Sequence, residues 1–377
     1  MTAAPIEPDG IRAALRAHGE SVMLPAAAYL DPDVYAWERR RLFAAAWTCL
    51  GRAEELLPAG TTQHAVEVGD VGVLLAVVQG QPRAYANVCR HRGHELLPVG
   101  DTSGHRAVVC PYHGWAYGLD GALRTAPNMD GTAEGLDLVE LPLETWHGWV
   151  FVNATGTAPP FRRYLGGMAE LVAPYRPERL VVAARHSYDV AANWKILVEN
   201  YHECYHCPLI HPELCRVSPP SSGANWDLPG AWVGGEMELR DHAETMSLDG
   251  RSRCRPLPGV DPRVVRYLGL FPNLLISAHP DYVMTHRLTP TGPGHTEVEC
   301  QWLFPQGVDD PSYAVEFWDL TNRQDWAACE SVQRGIANPH FRPGPLAAKE
   351  DAVYQWVTLI ARLYADPTAG LTSALEC

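Results

Sequence analysis

The chain predicts an α+β fold in two domains, and three observations carry the prediction. Its 377 residues exceed one ordinary domain of roughly 100–200 residues. A block of short β-rich runs is followed by a longer stretch of mixed helical and strand patterning. A Gly/Thr/Ala/Pro segment at 155–160 separates the two, as a domain linker does. Taken in order, residues 8–48 read as helical, with Ile11, Leu15, Val34, Trp37, Leu42 and Phe43 at helix-like spacing. Runs at 66–68, 71–78 and 83–88, broken by Gly69-Asp70 and Gly80, predict an antiparallel meander. Asp120-Gly121, between Tyr117 and Leu123, predicts a hairpin turn, and 149–152 closes the β block. In the second region, 161–173 and 194–205 read as helices and 212–235 as a loop or lid. Strands are expected at 270–277, 282–288 and 296–304, and terminal helices at 313–336 and 350–364.

Composition excludes several function classes. With 44 acidic against 30 basic residues the net charge is −14, the wrong sign for a polyphosphate backbone. No nucleic-acid partner is expected. The 46% hydrophobic and 20% charged content belongs to a folded chain rather than a disordered one. No run of about 18 uncharged apolar residues predicts a membrane span. The first twenty residues contain Asp9, Arg12, Arg16 and Glu20, so they do not read as a secretion signal. Arg39-Arg40-Arg41 reads as the polar face of a helix. Ten cysteines without an export signal suggest thiols or metal ligands, and a cytoplasmic protein.

Two side-chain constellations carry chemistry. The first is Cys89-Arg90-His91, then Cys110-Pro111-Tyr112-His113. Each short loop offers one thiolate and one imidazole, which suits a Rieske [2Fe–2S] cluster with two Cys on one iron and two His on the other. Gly93, Gly114 and Gly118 let backbone approach sulfur closely, and Pro111 stiffens its loop. A Cys2His2 zinc site is the rival reading, although zinc sites usually group Cys with Cys and His with His. The second is Asn193-Trp194-Lys195, then Glu199-Asn200-Tyr201-His202-Glu203-Cys204-Tyr205-His206, then His211-Pro212. His206 and His211 bracket a helix end, and with one carboxylate they would form the facial triad of a mononuclear Fe(II). Asp325 is the expected third ligand, with Asp319 and Glu330 as alternatives. His202 and His206, four apart, would share a helix face, and Cys204 with Cys207 could be a redox or zinc pair.

Together these motifs resemble the Rieske non-haem iron oxygenases, specifically their catalytic α subunit. The resemblance covers nearly the whole chain. It implies N-terminal helices at 1–47 that belong to the catalytic domain, an antiparallel β Rieske domain at 48–156, and a catalytic domain at 157–377 of helix-grip type, a curved antiparallel sheet with helices. It implies a cluster on Cys89, His91, Cys110 and His113, and a mononuclear Fe(II) on His206, His211 and Asp325. Electrons would come from NAD(P)H through a separate flavin/iron–sulfur reductase or ferredoxin. A head-to-tail homotrimer would bring one chain's cluster near the next chain's iron. Glu203 stands where the aromatic-ring dioxygenases have Asp, as the carboxylate that bridges the two centres. In that respect the chain looks like the branch that oxidises choline, glycine betaine, proline betaine and carnitine. Asn200 and Tyr201 would line the iron pocket, and Tyr201, Trp226, Tyr282 and Trp302 are candidates for an aromatic box around a quaternary ammonium. His279 and His286 read as buried, hydrogen-bonded residues or pocket residues. The activity expected is hydroxylation or oxidative N-demethylation of a small amine. The alternatives are an oxygenase acting on an aromatic or alicyclic acid or a secondary metabolite, and a Rieske electron carrier without oxygenase activity.

Overall fold

The computed structural model describes residues 3–129 and 135–367. They form two compact units, one comprising 38–161 and the other 1–37 with 162–377. The turn at 39–43 and the 155–161 segment thus group with the β unit. Both units are rich in antiparallel sheet, and the larger adds long helices, so the fold is α+β.

The β unit holds a five-stranded sheet in which Gln63–Val68, Val71–Val78 and Gln81–Ala86 run as the expected meander. Its inward residues Val68, Val73 and Leu75 pack with Leu50, Leu141 and Val150 of neighbouring strands. A smaller sheet pairs Ala107–Val109, Ala116–Gly118 and Leu123–Thr125, with the Asp120-Gly121 turn between the last two. Trp115, Tyr117, Cys89 and Cys110 are buried together beneath it.

The larger unit is built on a seven-stranded antiparallel sheet. Its order is Leu180–Val190, His295–Pro305, Val283–Gly292, Leu274–Ala278, Val264–Leu270, Trp232–Glu238 and Ala224–Asn225. Direct cross-strand partners share a sheet face. Tyr267, Ser277, Met284 and Trp302 therefore form one row, and Gly269, Leu275, His286 and Cys300 a second row on the same face. The long helix Ser312–Ile336 lies against this face through Tyr313, Ala314, Phe317 and Trp318. That i, i+1, i+4, i+5 stripe is what a core-facing helix shows, and each large side chain contributes about 1.5–3 kcal/mol on burial. The next two turns of the same stripe aim Asn322 and Asp325 toward the sheet.

Several sequence expectations need correction. The N-terminal region is helical only at Pro8–Ala14, Ala27–Leu30 and Pro32–Glu38, followed by a π-helical turn Arg39–Phe43, and Thr48 already begins a strand. Prolines at 8, 25 and 32 divide it. The expected strand 270–277 is two strands, joined through Phe271-Pro272-Asn273. The segment 212–235 is not wholly a lid: it contains helix Pro212–Val217, the edge strand Ala224–Asn225 of the large sheet and the start of its neighbour Trp232–Glu238. Strand Leu180–Val190 was not anticipated at all. Among the described residues, no helix is long and apolar enough to cross a membrane.

Candidate active site

Helix Trp194–Tyr201 starts where the Asn193 side chain accepts a hydrogen bond from the Lys195 amide at 3.0 Å, a capping role for which Asn is well suited. The expected helix through residue 205 stops at Tyr201, so His206 does not lie on it and shares no helix face with His202. The Glu203 carboxylate instead accepts from the amides of Tyr205 and His206, which takes both out of a helical ladder. A disulfide between Cys204 and Cys207 closes the same turn. His206 then caps the short helix Cys207–Ile210, and His211 ends it.

This turn brings three of the expected residues together. His206 Nε2 lies 3.1 Å from His211 Nε2, and Asp325 Oδ1 lies 2.8 Å from the latter and 3.3 Å from the former. The outer nitrogens are held by other partners. His206 Nδ1–H donates to Glu203, and His211 Nδ1–H donates to Gln324 Oε1 at 2.7 Å. Both imidazoles are thereby fixed in the tautomer that turns an Nε2 lone pair inward. Facing lone pairs beside a carboxylate oxygen repel one another unless positive charge sits among them. Ligand atoms about 2.1 Å from one ion and at right angles lie about 3 Å apart, which matches. Burial works to lower the His206 pKa, but hydrogen bonds to Asp325 and Glu203 outweigh it and raise it to about 9, so without an ion a proton takes the place of the positive charge at Nε2. The donor set therefore fits a divalent cation. Asp319 and Glu330 lie elsewhere: Asp319 binds His186, Tyr188 and Arg323, and Glu330 accepts from the Ala191 amide. Gln324 was not singled out in the sequence, which carries no signal for it beyond its place beside Asp325.

The triad opens on a cavity of about 570 Å³ in the larger unit. Asn200, Tyr201 and Glu203 line it, as does His286. Tyr282, expected at the substrate, does not. It is fully buried one layer behind, where its hydroxyl accepts from Trp318 Nε1 at 2.8 Å and donates to the Met246 carbonyl. Trp226, Trp302 and His279 are also off the wall. The aromatic surface comes instead from Tyr201, Tyr267, Trp318 and Trp326. Among the described lining residues there is no arginine, and the one lysine, Lys349, is exposed.

In the β unit, two loops close in the same way. The Cys89 carbonyl accepts from Gly93 N–H, and the Cys110 carbonyl from Gly114 N–H. Both glycines have positive φ, +74° and +71°, which other residues adopt at a cost. The cysteines are buried, 4% and 1% exposed, while His113 faces outward. The His91 and His113 rings are 4.6 Å apart, and Trp115 stacks on His91. Buried His91 Nδ1 has no partner among the described residues. Tyr117 O–H accepts from the Arg90 amide and so can donate to Cys89 Sγ, 3.4 Å away. Among the described residues only His206, His211 and Asp325 gather closely enough for a single ion. The Cys/His quartet is more open, which suits a two-iron cluster better than a zinc ion.

Comparison with known proteins agrees with both centres. Residues 46–142 match the Rieske [2Fe-2S] domain, and residues 177–366 match the ring hydroxylating alpha subunit (catalytic domain). The chain belongs to this family: it is the α subunit of a Rieske non-haem iron oxygenase, with a cluster domain and a mononuclear-iron domain. Within the family it groups with monooxygenase oxygenase subunits. It is 32% identical to the glycine betaine monooxygenase oxygenase subunit of Chromohalobacter salexigens, over 91% of this chain and 87% of that one. It is 37% identical to the carnitine monooxygenase oxygenase subunit of Escherichia coli, over 51% and 53% of the two chains. A solved quaternary ammonium Rieske monooxygenase shares the fold, with a TM-score of 0.76 at 24% identity over 97% of this chain and 100% of that one.

Proposed function

We propose that the enzyme oxidises an N-methyl group of a small quaternary ammonium compound. The observation that carries this reading is the cavity wall at the triad, which is aromatic and has no guanidinium. Ring faces attract N(CH3)3⁺ by about 0.5–2 kcal/mol each, whereas a benzoate-like acid carries no positive charge for them to attract. We assign Cys89, His91, Cys110 and His113 to the cluster and His206, His211 and Asp325 to the mononuclear iron. When bound, these groups supply single electrons and O2 activation. The chain supplies the rest: Glu203 and Gln324 fix the two imidazoles, Ser277 ties down the Tyr201 hydroxyl at 2.9 Å, and Asn200 and Tyr201 bound the substrate space. One oxygen atom of O2 enters a methyl C–H bond, and the other leaves as water with two electrons and two protons. The resulting hemiaminal breaks its C–N bond, releasing formaldehyde, the demethylated amine and a proton.

In this reading the electrons come from a separate NAD(P)H-dependent reductase, and the enzyme works in the cytoplasm. We place the working enzyme in a closed three-fold ring. In support, Tyr205 and Leu209 flank the His206 turn at 63% and 90% exposed, and Tyr112 beside His113 is 55% exposed. Such apolar surface next to a redox centre suits a neighbouring copy. The function is tested by supplying reductase and NADH and following formaldehyde release. Betaine-type amines should couple the two, and neutral tert-butyl isosteres should bind roughly five- to several-hundred-fold more weakly. Activity confined to aromatic acids would overturn the reading.

A further inference from the structure

Four residues of the cavity wall, His202, Tyr267, His286 and Trp326, hold a buried polar atom with no partner among the described residues, and two of these lie on the sheet. His286 is 2% exposed and sits on the sheet row that faces the long helix. Its Nε2–H donates to Asn322 Oδ1 at 3.0 Å. The Asn322 amide is oriented by its own Nδ2–H, which donates to Cys300 Sγ at 3.4 Å. That arrangement leaves His286 Nδ1 as a bare lone pair, buried and unpartnered among the described residues. Burial pushes the His286 pKa down to about 4, so the ring stays neutral and this nitrogen only accepts. Asn322 is one helical turn before Asp325, and the His286 ring lines the same cavity as the triad. The second atom is the Tyr267 hydroxyl, also buried and unpartnered among the described residues. The Tyr201 ring lies 6.0 Å from each of the two rings, so the pair flanks it on one wall.

A buried acceptor and a buried hydroxyl are costly to leave unmade. A trimethylammonium group offers neither an N–H nor a lone pair, and a carboxylate offers no donor. Resting on the quaternary-amine reading above, we infer that His286 Nδ1 and Tyr267 O–H read a hydroxyl group on the substrate. The substrate hydroxyl donates to His286 and accepts from Tyr267. The enzyme therefore prefers a hydroxylated quaternary ammonium compound to its deoxy counterpart.

Matched pairs test this on the holoenzyme: choline against ethyltrimethylammonium, and carnitine against γ-butyrobetaine. Each Kd is measured by calorimetry without reductase, and each kcat/KM with it. The hydroxylated member of at least one pair should bind and react at least about tenfold better, the loss expected for one unmade hydrogen bond. His286→Leu should bring that ratio to near one, and Tyr267→Phe should reduce it in part. Equal Kd and kcat/KM within both pairs for the wild-type enzyme would overturn the inference while leaving N-demethylation intact. No binding of any quaternary amine would overturn both. The wild-type comparison decides the matter even where a variant does not fold.

Discussion

Glu199 is a carboxyl group enclosed on the Trp194–Tyr201 helix, with Tyr29 O–H donating to it at 2.8 Å. Burial raises its pKa to about 7, against the smaller lowering effects of Tyr29 and Lys195. In the folded state it holds a proton that the unfolded chain has already lost. Its contribution to stability is therefore full below about pH 4.5 and falls as pH rises to 7. At about 1.4 kcal/mol per pKa unit the loss approaches about 3 kcal/mol. Glu199→Gln should accordingly gain melting temperature over wild type at pH 8 but little at pH 5; an equal effect at both values would mean the carboxyl is already charged. Glu203 matters in another way. Glu203→Gln keeps the shape but replaces one carboxylate oxygen with an NH2 that cannot accept from an imidazole N–H. Both metals should stay bound and reduction of the cluster by a donor should be unchanged. Its reoxidation by substrate and O2 should slow at least about tenfold, and stopped-flow traces at the cluster absorbance will show it. At this scale the gathering of His206, His211 and Asp325 was legible in the sequence, because metal chemistry limits both residue type and spacing. The cavity wall was not. Whether Tyr267 or Tyr282 faces the cavity depends on the pairing of Tyr267 with Ser277 and Ser277 with Met284, which no local pattern reveals.

The elements that carry the site depend on a few polar anchors. Asn193 is 1% exposed; besides capping its helix, its Nδ2 donates to the carbonyls of Tyr29 and Pro293. Asn193→Ala removes the cap, worth about 1 kcal/mol, and strands buried carbonyls at about 1–3 kcal/mol. Denaturant midpoints should fall accordingly, while Asn193→Asp should keep the cap and recover part of the loss. Gly269 is fixed by close approach: a Cβ there would meet His202 Nε2 at 2.3 Å. Terminal helices and the Rieske meander could be read because their hydrophobic periods are long and regular. Strand Leu180–Val190 escaped notice although its burial alternates along its whole length. Its inward set includes Ala184, His186 and Tyr188, and its outward set includes Val181 and Ala183, so the polarity contrast that signals a strand is weak. The break after Tyr201 was hidden for a different reason, since it is made by the Glu203 side chain bonding to the backbone.

For the whole molecule, the proposed ring makes a prediction that no single chain can satisfy. A Cys110→Ser chain should lack the cluster, and an Asp325→Ala chain should lack the mononuclear iron, so each alone should be inactive. Co-expressed and purified as mixed rings through two different tags, they should regain part of the wild-type turnover, because an intact cluster then borders an intact triad. Mixed rings without activity would place electron transfer within one chain. Beneath this lies the claim that the Cys/His quartet and the His/His/Asp triad are two separate centres. Iron and acid-labile sulfide counts test it most directly. Wild type should hold about three irons and about two sulfides per chain, and Asp325→Ala about two of each with the visible spectrum of the cluster unchanged. An Asp325→Ala protein that keeps its third iron, or whose cluster spectrum bleaches, would contradict the account.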